Sequence, residues 1–380
     1  MSELEQWRRI IDECDRRIVG LLNRRAEAAR RIGNWKRRRQ CDVYVPAREK
    51  QVLDHVRRLN AGPLSDEAIL AIYREIMSAS LALERPLTVA YFGPPSTFTH
   101  QAARHRFGAG VTYAAHDTIP DVFRAVEKGA ADYGVVPVEN STEGAVTHTL
   151  DQFPLTPLRI CAEIYLNVAH HLLAAGPLRR IRRIYSHPVV FGQCRRWLNA
   201  ELPRAELIPV SSTARAADMA ARERGGSAAI AGAMAADLYR LKIVARDIQD
   251  FSDNTTRFLV IARRYGAATG DDKTSILFSV RHRAGALCGA LQAFKRHGLN
   301  LTRIESRPSR HKAWEYLFFV DLEGHADDRR VQAALRGLRR HCTMLTILGS
   351  YPKAPEQNAF KPCEACPAPR RGERHMGRCS

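Results

Sequence analysis

LEQWRRIIDECDRRIVGLLNRRAEAARRIGNWK, residues 4–36, decides how the N-terminal part of this chain folds. Leu4, Trp7, Ile11, Cys14, Ile18, Leu21, Arg25, Ala28, Ile32 and Trp35 follow alternating steps of three and four, a seam of about nine helical turns. No proline interrupts it, and Gly20 and Gly33 are only weak points, so one long helix is expected. At roughly 1.5 Å per residue such a helix outruns an ordinary globular core and needs a partner helix, which a second copy of the chain can supply. A single seam position, Arg25, is charged. Lys36 lies eleven residues on, about 1100° or 20° net, and shares its face, whereas Arg8 falls about 100° away. Two cations on the inward stripe and a third turned aside suit a pocket for an anion between packed helices. Interhelical salt bridges would produce the same pattern.

Working outward, Pro46 opens a second helix to about residue 60, with Arg48 and Glu49 in its first turn. Asn60-Ala-Gly-Pro63 breaks it, and Ser65-Asp-Glu-Ala68 starts a third that runs to Glu84, with Ser80 one turn before its end. From Leu87 the period changes. Short apolar runs (88–92, 133–138, 184–186, 228–231 and 258–262) alternate with helical stretches (97–106, 118–129, 190–200 and 213–223), which predicts a two-lobed α/β unit around a largely parallel sheet. Gly266–Asp272 reads as a linker, and βαββαβ order follows in a ferredoxin-like unit. The expected organisation is a helical domain over 1–86, an α/β domain over 87–266, a ferredoxin-like domain over 273–352 and a disordered tail over 353–380.

Five segments of the helical arm carry a resemblance. WRRIIDECD (7–15), LLNRR (21–25), GNWK (33–36), VYVPARE (43–49) and YREIMSASLALE (73–84) resemble the all-helical chorismate mutase domain. The chemistry suits the charges, because the Claisen rearrangement of chorismate to prephenate needs a folded dianion and a stabilised ether oxygen, not a nucleophile. By that resemblance Arg25, and Arg8 of another protomer, bind the two carboxylates. Lys36 donates to the ether oxygen, Glu49 accepts the ring hydroxyl, Arg48 joins the polar network and Ser80 lines the pocket. Glu84 stands where some relatives have glutamine. It can donate only when protonated, so mutase activity is expected to decline as pH rises. Val45 replaces an acidic residue of some relatives, and that contact is absent.

The clusters YFGPPSTFT (91–99), PVENSTEG (137–144), Ser186-His-Pro188 with Gln193, and NTTRF (254–258) resemble, in this order, prephenate dehydratase, which turns prephenate into phenylpyruvate by decarboxylation and loss of the ring hydroxyl. The resemblance implies that Thr256 assists the departing hydroxyl and that Arg257 anchors a carboxylate or orders the loop. Ser96, Thr97, Glu139, Asn140, Ser141, Ser186, His187 and Phe258 are the remaining implied pocket residues. Ser96 stands where the family usually has glycine and is expected to alter that turn locally. Gly285-Ala286-Leu287 and Glu305-Ser306-Arg307-Pro308 resemble the phenylalanine-binding motifs of ACT regulatory domains, which implies feedback inhibition by L-phenylalanine.

Lysine and arginine number 59 against 40 aspartates and glutamates, a net charge of +19. Such a balance attracts anions, from nucleic acid to small polycarboxylates, but no nucleic-acid-binding motif accompanies it, and two dianionic substrates are the expected partners. No apolar run suits a membrane span, the start lacks the apolar core of a secretory signal, and nine cysteines lie mostly scattered, so a cytoplasmic location is expected. No cofactor or metal is expected. Cys363, Cys366, His375 and Cys379 in the tail are potential ligands, but few apolar residues surround them to cover a site. The expected assembly is a homodimer or higher homo-oligomer. The competing reading is a prephenate or arogenate dehydratase whose helical arm serves only dimerisation.

Overall fold

The computed structural model describes residues 2–39, 45–223, 225–251, 253–309 and 316–354. Helix α1 spans Glu3–Arg38 without a break, capped by the Ser2 side chain and Glu5 in a reciprocal box. Helix α2 (Pro46–Leu59) begins on its proline, and α3 (Asp66–Glu84) begins under the Ser65 hydroxyl. Gly33 is the buried point of α1, because a Cβ there would lie 2.7 Å from the Glu84 Cα. That close approach sets the α1–α3 crossing. Leu4, Trp7, Ile11, Ile18, Leu21, Ile32 and Trp35 stay more than half exposed in a single chain.

The strands that follow are β1 (Thr88–Phe92), β2 (Thr112–His116), β3 (Tyr133–Asn140), β4 (Gly144–Ala145), β5 (Arg159–Asn167), β6 (His171–Ala174), β7 (Arg183–Ser186), β8 (Glu206–Pro209), β9 (Ser227–Ala231), β10 (Lys242–Ala245) and β11 (Thr255–Ala262). They form two sheets, ordered β2-β1-β3-β11-β5 and β10-β6-β9-β7-β8. Both sheets are mixed, which corrects the largely parallel expectation. Only β1 with β2 and β3, and β7 with β8 and β9, run parallel, while β11 returns antiparallel between β3 and β5 and β6 runs antiparallel to β9 and β10. The chain crosses between lobes after β5 and comes back as β11, so both crossing segments enter against the direction of the βαβ strands.

The last unit comprises β12 (Asp272–Val280), β13 (Leu301–Pro308), β14 (Tyr316–Glu323) and β15 (Cys342–Pro352) in the antiparallel order β13-β14-β12-β15. Helices Ala286–Arg296 and Arg329–Arg339 cover one face through Ile276, Phe278, Val320 and Leu338. Period-two alternation sends Leu277, Phe319 and Leu348 to the other face, where they share a core with Val136, Val138, Ile160 and Leu259 of the α/β unit. The helical arm is docked as well. Gly110 N–H donates to Ser78 Oγ at 2.8 Å, Lys50 pairs with Asp271 at 2.8 Å, and Arg85 pairs with Asp132. Among the described residues no helix is long and apolar enough to cross a membrane. The cysteine-bearing tail lies outside them.

Candidate active sites

The first polar cluster sits where α1 crosses α3. Lys36 Nζ lies 3.0 Å from Glu84 Oε2, with both side chains largely buried. One helical stretch away, Arg25 Nη1 donates to Ser80 Oγ at 2.7 Å, and the Ser80 hydroxyl donates to the Ile76 carbonyl at 2.8 Å. Four of the residues singled out in the sequence thus share one seam. Arg8 is on the same helix as Arg25 but seventeen residues away, roughly 25 Å, so one chain cannot aim both at a small molecule. Arg48 is exposed and donates to Gln51 Oε1 at 3.2 Å. Glu49 turns to the α/β unit, where Arg106 Nη2 holds it at 2.8 Å.

The second cluster lies where β3 and β11 meet the crossing to the other lobe. Thr256 pairs in register with Asn140, and Arg257 with Glu139. Alternation therefore divides the motif between the two faces of the sheet. On one face Asn140 Nδ2 donates to Thr256 Oγ1 at 2.7 Å and to Asn254 Oδ1 at 2.8 Å. Asn254 Nδ2 donates to Gln193 Oε1 at 3.3 Å, and the Gln193 amide nitrogen reaches Thr142 Oγ1 and Glu143 Oε1, both at 3.2 Å. His170 Nε2 meets the same Gln193 oxygen at 2.8 Å. Burial pushes His170 down to about 4.

On the opposite face Arg257 contacts none of these groups. It donates to Glu163 at 2.9 Å, Asp321 at 2.6 Å and the Tyr351 hydroxyl at 3.0 Å, all buried against the C-terminal unit. Burial opposes its charge, but Asp321, Tyr351 and Glu163 outweigh that and hold its pKa well above the usual value. Glu139 follows it, paired with Arg303 of β13 at 3.0 Å. The carboxylates that Arg257 anchors are the protein's own.

Other implied pocket residues serve the scaffold. Phe258 is core. The Ser186 hydroxyl donates to the Ile230 carbonyl at 2.9 Å, tying β7 to β9. His187 Nδ1 accepts the Val189 N–H at 3.4 Å at the start of the helix Pro188–Gln193, and Thr97 caps the helix Phe98–Phe107 by accepting from the His100 N–H at 3.3 Å. Ser141 joins the strand ends, accepting from Thr255 N–H at 3.0 Å and donating to the Asp253 carbonyl at 2.9 Å. Ser96 itself adopts φ 72°, so the turn keeps the left-handed backbone a glycine would take and is not rebuilt. Its enclosed hydroxyl makes no well-formed hydrogen bond, with the Tyr239 phenol as its neighbour.

In the C-terminal unit Gly285 (φ 74°) caps the helix that Ala286 and Leu287 begin. Along the edge strand β13, Glu305 is half-buried while Ser306 and Pro308 are exposed. Arg307 points to the α/β unit and holds Asp151 at 2.8 Å, a tether between domains. His170 and Asn254 were absent from the expected site. Asn254 was legible in the NTTRF run, whereas nothing in AHHLL marks His170.

The family model of chorismate mutase type II matches residues 7–85, that of prephenate dehydratase residues 89–265 and that of the ACT domain residues 274–340. A bifunctional chorismate mutase/prephenate dehydratase of Aquifex aeolicus is 49% identical over 360 residues, 93% of this chain and 99% of that one. The chain belongs to the bifunctional chorismate mutase/prephenate dehydratase family. Chorismate mutase and prephenate dehydratase activities reside together in it. The solved prephenate dehydratase of Arthrobacter aurescens in complex with L-Phe is 37% identical, with a TM-score of 0.66, over 72% of this chain and 92% of that one. A chain described as a novel type of quorum quenching acylase, GqqA, is 31% identical, with a TM-score of 0.65, over 70% of this chain and 98% of that one.

Proposed function

We propose that residues 1–86 carry the mutase, 87–266 the dehydratase and 273–352 a phenylalanine sensor. The observation that carries the mutase assignment is the α1–α3 seam, where the Lys36–Glu84 and Arg25–Ser80 contacts place two cations along one helix pair. Arg25 and the Arg8 of a second protomer bind the two carboxylates of chorismate and hold it in a compact chair. Lys36 then stabilises the charge that develops on the ether oxygen as the C–O bond breaks, with Glu84 beside it. The exposed apolar seam of α1 supplies the dimer contact that this arrangement requires.

In the dehydratase, Thr256 serves the departing ring hydroxyl, which takes up a proton and leaves as water. Carbon dioxide is lost from the same ring, and aromatisation drives the step. Asn140 orients Thr256 through a direct hydrogen bond. The Arthrobacter relative's bound L-Phe, together with the ACT unit of this chain, supports L-phenylalanine as effector. Gly285–Leu287 and Glu305–Pro308 are the segments assigned to it.

Subunit mixing tests the shared mutase site. Arg8→Ala and Arg25→Ala proteins should each be inactive as mutases. After denaturation and co-refolding, half the dimers are hybrids with one intact site of two, giving about a quarter of wild-type activity. No recovery on mixing would refute the shared site and remove the dimer from the mechanism.

A further inference from the structure

We propose that His170 is a positioning residue of the dehydratase, donating to the Gln193 amide and so completing the hydrogen-bond chain that ends at Thr256. The inference rests on Thr256 being the group that meets the leaving hydroxyl. It goes further by fixing where the Thr256 proton points and what fixes it.

Asn140 Oδ1 accepts from the Thr142 N–H at 3.0 Å, the Glu143 N–H at 3.1 Å and the Thr142 hydroxyl at 2.6 Å. Backbone N–H groups can only donate, so the oxygen of this amide is identified and its nitrogen must face Thr256 and Asn254. Asn254 therefore presents its oxygen to Asn140 and its nitrogen to Gln193. At the far end the Glu143 carboxylate can only accept, which turns the Gln193 nitrogen toward it and the Gln193 oxygen toward Asn254 and His170. His170 must then carry its proton on Nε2. Its Nδ1 is buried with no partner among the described residues, which favours the neutral ring with a bare nitrogen there over a cation with a stranded N–H.

The consequence falls on Thr256. Its oxygen already accepts from Asn140, and no acceptor among the described residues takes its own proton. The hydroxyl is left to donate to a bound substrate. Without the His170 donor, Gln193 Oε1 keeps only the Asn254 N–H, and the amide is held at its other end by Thr142 and Glu143 alone. Asn254 then meets a looser acceptor, and its brace on Asn140, and through Asn140 on Thr256, weakens. The residue is held for this task by its backbone N–H, which donates to Gln249 Oε1 at 2.9 Å, and its ring by the Phe98 ring at 5.6 Å.

The test uses the full-length protein supplied with prephenate, with mutase turnover of the same sample as the check on folding. His170→Phe keeps the aromatic contact and removes the donor. It should lower dehydratase kcat about tenfold or more, with KM little changed and mutase turnover intact. His170→Gln, whose amide nitrogen reaches the place of Nε2, should recover most of that loss. His170→Asn, whose nitrogen reaches only the place of Nδ1, should not. Wild-type kcat in His170→Phe, or equal activity of the Gln and Asn variants, overturns the proposal. Thr256→Val separates the two readings: if it keeps its dehydratase activity the Thr256 assignment itself fails, whereas an inactive Thr256→Val beside a fully active His170→Phe removes only the role of His170.

Discussion

Replacing Arg257 by methionine would remove the cation that, among the described residues, sits between the α/β unit and the ACT unit in contact with Asp321. Lys273 still holds Glu163 at 3.0 Å, so the carboxylate stranded by the change is Asp321, left with the Ser275 hydroxyl and the more distant charge of Arg303. Breaking a buried pair from one side costs about 3–5 kcal/mol, which for a unit of this size lowers the melting midpoint by roughly 6–20 °C. The pH dependence separates this cause from a mere packing defect. In the wild type, burial would raise Asp321, but Arg257 and Ser275 outweigh it and hold the carboxyl below its ordinary range. That contribution is complete above about pH 4 and fades only as the pH falls below it. In the variant burial acts almost alone and raises the same carboxyl, which then takes up a proton on folding and favours the folded state as the pH drops. The melting gap between variant and wild type should therefore narrow from about pH 7.5 to about pH 5, and Asp321→Asn added to the variant should abolish the narrowing. Thermal melts in matched buffers read both effects. A gap that is absent, or constant across that range, would refute the reasoning.

Gly33→Ala forces a Cβ to within 2.7 Å of the Glu84 backbone and pushes α1 off α3, so mutase kcat/KM should fall about tenfold or more while dehydratase turnover on added prephenate holds. Ser96→Gly relieves a left-handed serine, a strain of about 1–3 kcal/mol partly offset by the freer unfolded chain; its melting midpoint should equal or exceed wild type, whereas Ser96→Val should melt lower. Glu84 accepts from Lys36 at 3.0 Å and holds it in the seam, so Glu84→Ala should lower mutase kcat/KM about tenfold or more while dehydratase turnover on added prephenate holds; wild-type mutase kcat/KM in that variant would remove Glu84 from the mechanism. L-Phenylalanine should inhibit dehydratase turnover, and Glu305→Ala or Leu287→Ala should relieve it, while unchanged inhibition in both would relocate the sensor.

The helical arm was legible because its apolar seam and proline-marked starts leave little choice, and the βαββαβ unit because its runs are clean. Strand β5 was missed for a physical reason. RICAEIYLN is buried on both faces, between its own lobe and the ACT unit, and Glu163 in its middle answers Arg257 and Lys273. A charge there breaks the apolar run that would have announced a strand. Strands β2 and β8 are sheet edges with exposed positions, and they carry no strong pattern. At the dehydratase site, Thr256 and Arg257 belong to one motif but to opposite sides of a sheet. Period-two alternation separates them, and adjacency in sequence made them look like partners. His170 was beyond reach, since its place depends on Gln193 and Gln249, far away in the chain.

The central claim is that two separate sites in one chain perform two successive reactions, and chorismate supplied alone tests it most directly. Wild-type protein should release phenylpyruvate, Thr256→Val should stop at prephenate, and Lys36→Ala should leave chorismate untouched yet still convert added prephenate. Loss of both reactions in either variant, with the fold intact, or conversion of chorismate by Lys36→Ala at the wild-type rate, would contradict the account.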